Sequence, residues 1–189
     1  MSLHIDPMLL AALKRGEEKA FSQLIDQYSQ FVYAVAVRML GDEVEARESS
    51  QEVFIKVWQK IDSYKSAYAF RTWLYRIISN TCLDQLRKRK RQQEKFVSLG
   101  QEGWEALPEE ESQETSWDGP QLMVTIRKLA GKLSHKQHMV FVLHDIEELP
   151  QAEIADILQI KKGSVKSNLH LARKAIREAL GSRYSLQNT

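Results

Sequence analysis

The chain has 189 residues, 43% of them hydrophobic and 28% charged, with a formal net charge of +2. This suits a soluble globular protein with room for one ordinary domain or two small ones. No apolar run approaches the roughly 18 to 20 residues needed to span a bilayer, and Met1 to Pro7 lacks the basic-then-apolar pattern of a secretory signal. A cytoplasmic protein is expected, and the lone Cys82 agrees, since it allows no internal disulfide. The small net charge hides a partition. Residues 1–95 hold 16 basic and 12 acidic side chains, residues 96–118 hold seven acids and no base, and residues 119–189 hold 11 and 6. Two basic lobes joined by an acidic strap suit two contacts with a polyanion. Two ordinary solvated domains with an acidic linker would look the same by charge alone.

Strand signals are nearly absent, and Pro and Gly sit at borders between stretches of helical spacing. The fold class expected is all-α, with two small helical domains at 1–95 and 119–189. In the first lobe a short helix is predicted from about Pro7 to Arg15. A second runs from about Glu17 to Leu40, with Phe21, Leu24, Ile25, Tyr28, Val32, Val35 and Met39 on one side. A third runs from about Val44 to Ile61 and clusters Val53, Phe54, Val57, Trp58 and Ile61. The fourth, from about Ala69 to Arg91, carries Trp73, Leu74, Ile77, Ile78, Thr81, Leu83 and Leu86. Residues 96–118 show no period and read as a linker that is flexible in the free protein. Trp104 and Trp117 are unusual for a pure spacer and could dock onto a lobe or a partner.

The second lobe also reads as four helices. One spans about Gln121 to Leu133. The next opens on Ser134 and Gln137, which have capping-box spacing. Pro150 suits the first turn of a short helix ending near Leu158. The last spans about Lys162 to Leu180. In PQAEIADILQIKKGSVKSNLHLARKAIREAL, Ile154, Ala155 and Leu158 form the inner face of the short helix, and Gln159 to Gly163 makes a tight connection. Val165, Leu169, Ala172 and Ile176 then recur at intervals of 4, 3 and 4. That stripe points inward, which leaves Ser167, His170 and Lys174 on the opposite side at 100° per residue, flanked by Lys166 and Leu171. A helix with such a free face can enter a DNA major groove. Lys161 and Lys162, with Ser164, stand at its N-terminus within reach of phosphates. A generic helical hairpin is the plain alternative, but the EIA, the short connection and the GSVKS entry together favour a helix-turn-helix.

The run GSVKSNLHLARKAI, with LSHKQHMVFVLHDIEELPQAEIADIL before it, resembles region 4 of sigma factors of the extracytoplasmic-function (ECF) group. AFSQLIDQYSQFVYAVAVRML, ARESSQEVFIKVWQKI and FRTWLYRIISNTCLDQLRKRKR, in that order, resemble regions 2.1 to 2.4 of the same family. The resemblance implies a subunit that lends promoter recognition to core RNA polymerase without enzymatic activity or cofactor of its own. Lys166, Ser167, His170 and Leu171 would then meet the −35 element. Many relatives carry a base at the position of Leu171, which here can contact only a thymine methyl. Gln51, Glu52, Phe54 and Trp58 would dock the β′ clamp helices, Phe54 and Trp58 being equally readable as core. The family usually has Asp-Leu where Ser49 and Ser50 stand, an exchange expected to weaken or retune docking. The second lobe would meet the β flap.

Within SYKSAYAFR, Tyr64, Lys65, Tyr68, Phe70 and Arg71 interleave rings and cations, a pattern suited to single-stranded nucleic acid. The resemblance makes this a loop that captures a base flipped from the −10 element, with Asn80 reading a base edge and Arg87 and Lys88 of RKRKR gripping the backbone. Trp73 reads as core. The resemblance also sends the acidic linker toward the polymerase active site and RNA exit path, and implies an anti-sigma factor that could hold the chain at the inner membrane without direct membrane insertion. A stand-alone helix-turn-helix regulator is the main rival; it explains the second lobe but not the ordered match in the first. An enzyme is a weaker one, because neither Cys82 nor the pair His135 and His138 has a convincing third partner for catalysis or metal binding.

Overall fold

A computed structural model describes residues 5–65, 69–98, 125–126, 129–130 and 132–187. Its helices are α1 (Pro7–Lys14), α2 (Glu18–Leu40), α3 (Glu43–Lys60), α4 (Phe70–Ser98), α5 (His135–Phe141), α6 (Gln151–Leu158) and α7 (Lys162–Gln187). A 3-10 turn follows α3 at Ile61–Ser63, and a π-helical segment, Val142–Ile146, continues α5. No strand occurs among the described residues. The linker, both of its tryptophans and most of the helix expected over 121–133 lie outside them, although 125–126 and 129–130 are helical.

Local chemistry sets the boundaries. Asp6 accepts from the Met8 amide at 3.2 Å, with Pro7 opening α1, and Asp42 accepts from the Glu45 amide at 2.8 Å to open α3. Gly41 ends α2 at φ 68°, a left-handed value that glycine adopts without a Cβ penalty. The Ser134–Gln137 capping box forms as expected. Pro150 is the N-cap of α6 rather than a residue of its first turn, and α7 runs past Leu180 to Gln187.

In the first lobe α2, α3 and α4 pack on one another through Leu24, Tyr28, Val32, Val35 and Met39, through Val53, Phe54 and Val57, and through Leu74, Ile77 and Ile78, all buried. At its base Phe70 packs edge-on against Tyr28 and Tyr64, ring centroids 5.3 Å apart in each pair, with Trp73 at 5.5 Å. These geometries add to burial. Cys82 is fully buried in the same core; desolvation pushes its thiol up to about 12.

The two lobes touch. One apolar cluster runs from α1 through α4 into Met139, Val140, Val142 and Leu143, and on to Ile154, Ile157, Val165 and Leu169. Polar contacts cross the same boundary. Arg38 of α2 pairs with Glu147, and the Tyr75 hydroxyl donates to the other Glu147 oxygen at 2.8 Å. Thr72 donates to Glu153 at 2.6 Å, and Arg76 donates to the Asp156 carbonyl at 2.8 Å. His138 is 8% exposed, with Nδ1 2.8 Å from the Ala130 carbonyl and Nε2 2.9 Å from the Met39 carbonyl. A neutral imidazole can donate to only one of these two oxygens.

Burial is the main influence on His138 and lowers its pKa; the two carbonyls pull it upward, and Arg89 lowers it again. His135 is also lowered, first by burial and then by Lys90, Arg87, His138 and Arg89. Both rings therefore take protons less readily in the folded chain than in the unfolded one, where about 6.5 applies. Their contribution to stability is present above that value and is lost as pH falls through the folded-state pKa. The thermal midpoint should drop between about pH 7.5 and pH 5.5, and H138Q should flatten the drop; equal slopes in variant and parent would contradict the assignment. A second expectation concerns Cys82. With its thiol near 12 against an ordinary 9.0, its thiolate fraction is about a thousandfold reduced. A disulfide reagent at mildly alkaline pH should leave it unmodified until denaturant is added, and rapid labelling of the native chain would be inconsistent with this core.

Candidate nucleic-acid interface

The helix-turn-helix is built from α6 and α7. Ile154, Ala155 and Ile157 are buried, and Leu158 is half-buried; Ile157 was absent from the expected inner face. Between the helices Gln159 takes φ 54°, and its side-chain amide donates to the Asp156 carbonyl at 2.8 Å. A glycine is the usual residue for that conformation, so the turn carried no glycine signal at its tightest point. The Ser164 amide then donates to Lys161 at 2.8 Å and opens α7.

Val165, Leu169, Ala172 and Ile176 are all buried, as the spacing predicts. Their burial turns the opposite side to solvent. Lys161, Lys162, Ser164, Lys166, Ser167, His170, Leu171 and Lys174 are exposed, Leu171 to 48%. Gln151, Arg173 and Arg177 line one groove together with Lys166, His170 and Lys174. Sequence reasoning missed these three. The two arginines were findable, because they follow His170 and Lys174 by three residues, one helical turn. Arg173 pairs with Asp145, which also accepts from His144 at 2.7 Å. Burial pushes the Asp145 carboxyl up, but Arg173 and His144 outweigh it and hold the group below its ordinary value.

On α4 the residues brought together differ from those expected. Arg76, Asn80, Arg87 and Lys88 recur at helical spacing; Asn80, Arg87 and Lys88 are exposed, and Arg76 is half-buried under α6. Arg87 faces Asp84 at 3.3 Å. Arg89, in the middle of the RKRKR run, turns inward to Glu45 and the Leu40 carbonyl. Lys65 is exposed, and Tyr68 lies outside the described residues. Tyr64 and Phe70 correct the expectation of an aromatic loop offered to bases. They are 4% and 0% exposed, and Phe70 belongs to α4. Their rings satisfy one another, so they hold the lobe's base and cannot stack on a nucleotide in this conformation. Arg71 is half-buried, its guanidinium 5.1 Å from the Phe31 ring centre and 3.0 Å from the Tyr75 hydroxyl. Its Nε is buried with no hydrogen-bond partner, and the flanking rings offset part of that cost.

The exposed side of α3 carries Gln51, Glu52, Ile55 and Gln59. Ile55 is 56% exposed, an apolar residue in the open that sequence reasoning passed over. Phe54 resolves to core at 8%, so it cannot be the docking anchor of this surface. Trp58 is half-buried against Phe21, ring centres 4.8 Å apart. Glu52 pairs with Lys56 at 2.7 Å. Ser49 and Ser50 are buried too, Ser50 donating to the Ala46 carbonyl at 2.6 Å. The absence of an acid at these positions therefore acts on packing between helices and leaves the exposed face as it is.

Among the described residues no group of three or more His, Cys, Asp or Glu could hold a metal ion, and no helix is long and apolar enough to cross a membrane. The family model for sigma-70 region 2 matches residues 24–92, and that for sigma-70 region 4 matches 123–176. The chain is 35% identical over 175 residues to the ECF RNA polymerase sigma factor SigW of Bacillus subtilis, covering 89% of this chain and 92% of that one. It is 31% identical over 180 residues to the RNA polymerase sigma-H factor of Pseudomonas aeruginosa, covering 93% of each. Its fold is also that of CnrH in complex with the cytosolic domain of CnrY, with a TM-score of 0.63, 23% identity and coverage of 93% and 96%. The sigma factor RpoE from Bartonella quintana, in complex with the anti-sigma factor NepR, gives a TM-score of 0.65 at 24% identity, with 86% and 98% covered. With both regions matched in order, and with full-length relatives above 30% identity, the chain belongs to the sigma-70 family, as an RNA polymerase sigma factor of the ECF type.

Proposed function

We propose that the chain directs core RNA polymerase to promoters by reading a −35 element with α7 and a −10 element with α4, while the exposed side of α3 docks the polymerase β′ clamp helices. The observation that carries this reading is the outward face of α7. All eight side chains expected to meet −35 DNA stand exposed on a helix whose opposite stripe is fully engaged in packing. In the groove Lys166 and His170 can donate to base-edge acceptors, Leu171 can meet a thymine methyl, and Lys161, Lys162 and Lys174 can neutralise phosphates. Arg177, and Arg173 once free of Asp145, extend that basic track.

On α4 the reading gives Asn80 the base edge, since its amide both donates and accepts. Lys65, Arg71, Arg76, Arg87 and Lys88 are left to the backbone. Tyr68 remains the candidate for holding an extruded base. On α3, Gln51 and Glu52 supply the polar rim around Ile55, the arrangement of an interface with an apolar centre. Two basic, outward-facing helices at opposite ends of one chain, preceded by a docking face, suit a polymerase subunit better than a regulator acting alone. The functional domains are taken as 1–95 and 119–189, with 96–118 as connector. The chain acts in the cytoplasm, the β flap is the second polymerase contact, and an anti-sigma factor is the expected antagonist.

The test is reconstitution. Core polymerase mixed with the chain and a promoter pool should form a complex stable in a gradient and give run-off transcripts; tight duplex binding without polymerase and no transcript would instead favour the stand-alone regulator. The variant Glu52→Ala with Ile55→Ala should weaken polymerase binding by about tenfold or more, the loss of roughly 1.4 kcal/mol or more expected of a small hot spot, with the circular dichroism spectrum unchanged. Separately, Lys166→Ala with His170→Ala should impair promoters that depend on −35 contacts by about tenfold or more and spare those that rely on extended −10 contacts. Equal loss on every promoter would reject the assignment of α7.

A further inference from the structure

Resting on the reading of α4 as the −10 surface, we propose that the free chain is self-inhibited. Glu147, Glu153 and the Asp156 carbonyl of the second lobe occupy the α4 groups that would otherwise hold promoter single strand, while the −35 helix stays open. The groups involved are those a phosphate would seek. Arg76 donates to the Asp156 carbonyl at 2.8 Å, and Thr72 donates to Glu153 at 2.6 Å. Arg71 donates to the Tyr75 hydroxyl at 3.0 Å, and that hydroxyl donates to Glu147 at 2.8 Å. Glu147 is also paired with Arg38, and its side chain is only 5% exposed. Two carboxylates and the carbonyl of a helix's last turn are set where a run of phosphate oxygens would lie. The apolar cluster shared by the two lobes runs beneath them.

The occlusion is one-sided. The −35 candidates of α7 are exposed in the same conformation in which α6 covers α4 from Thr72 to Arg76. Elements named for positions about 25 base pairs apart are separated by about 85 Å along B-form DNA. A compact chain of this length has a radius of gyration of only about 16 Å. The closed chain therefore cannot engage both elements, and separation of the lobes must precede promoter binding. Only the open fraction counts toward −10 affinity, which is lowered by that fraction.

The experiment uses the full chain and two probes of random sequence, a short labelled single strand and a short labelled duplex. Small-angle scattering should find the parent compact. Glu147→Gln with Glu153→Gln should raise the radius of gyration by a quarter or more, and single-strand affinity by about tenfold, the gain expected when a competent fraction of about a tenth approaches one. Duplex affinity should change by less than about threefold. Arg38→Met, which opens the same contact from the first lobe and leaves both carboxylates in place, should act in the same direction. A parent that is already extended, or variants that remain compact, would overturn the closure whatever α4 binds. Equal gains for both probes in the carboxylate variant would reduce the effect to lost negative charge and also overturn it. Expansion with no gain on the single strand would overturn the occlusion through the −10 assignment of α4, a failure that the scattering separates from failure of the closure.

Discussion

Glu147 sits where the two lobes meet, and much of the arrangement follows from what a carboxylate needs when it is taken out of water. Its side chain is almost entirely buried, so its charge must be matched on the spot. Arg38 supplies the charge and Tyr75 a hydroxyl, and both come from the first lobe. Removing one member of such a pair typically costs about 3–5 kcal/mol, chiefly because the other is stranded. The contact therefore specifies one docking of the lobes more firmly than it stabilises the whole. Thr72, Arg76 and His138 then fall into place along the same boundary.

The lobes treat their polar surfaces in opposite ways. In α7 the apolar stripe is narrow and fully used, so most of the helix circumference is left to water. In α4 the boundary with the second lobe consumes part of the polar side. Arg89 is drawn inward to Glu45, and Arg71 is sandwiched near Phe31 and Tyr75. A run of five bases is thus divided between packing and surface, a division that composition does not reveal.

Much of this was legible in the sequence where the signal was local. The four-residue and three-residue rhythm of Val165, Leu169, Ala172 and Ile176 names a buried stripe, and the outward residues follow by subtraction. Ser134 and Gln137 cap a helix because the two groups satisfied are within reach along the chain. Aromatic residues were harder. A phenylalanine beside polar neighbours reports that it avoids water, not which surface it will meet, and so Phe54, Tyr64 and Phe70 read as contact residues and turned out to be core. Ile55 shows the reverse, an isoleucine left in the open. The contacts between lobes had no signal. The partners of Glu147 lie 109 and 72 positions away, and nothing periodic links them.

The π-helical stretch after α5 decides where that carboxylate points. The Glu147 amide donates to Val142, five residues back, at 2.9 Å, and the Leu149 amide donates to Leu143 at 3.0 Å. The wider turn lets neighbouring residues serve different masters: Asp145 holds Arg173 of the recognition helix, Ile146 packs against both apolar clusters, and Glu147 reaches the other lobe. Loss of one residue between Val142 and Ile146 would let the helix continue in ordinary α form with its hydrogen bonds kept. Every later side chain would then rotate by about 100°, and the carboxylate would leave Arg38. The chain would keep its reading head and lose its hold on the rest of itself. In this segment chain length, more than side-chain identity, sets the coupling between lobes, and a family that varies its length here would vary that coupling without altering a single contact to DNA.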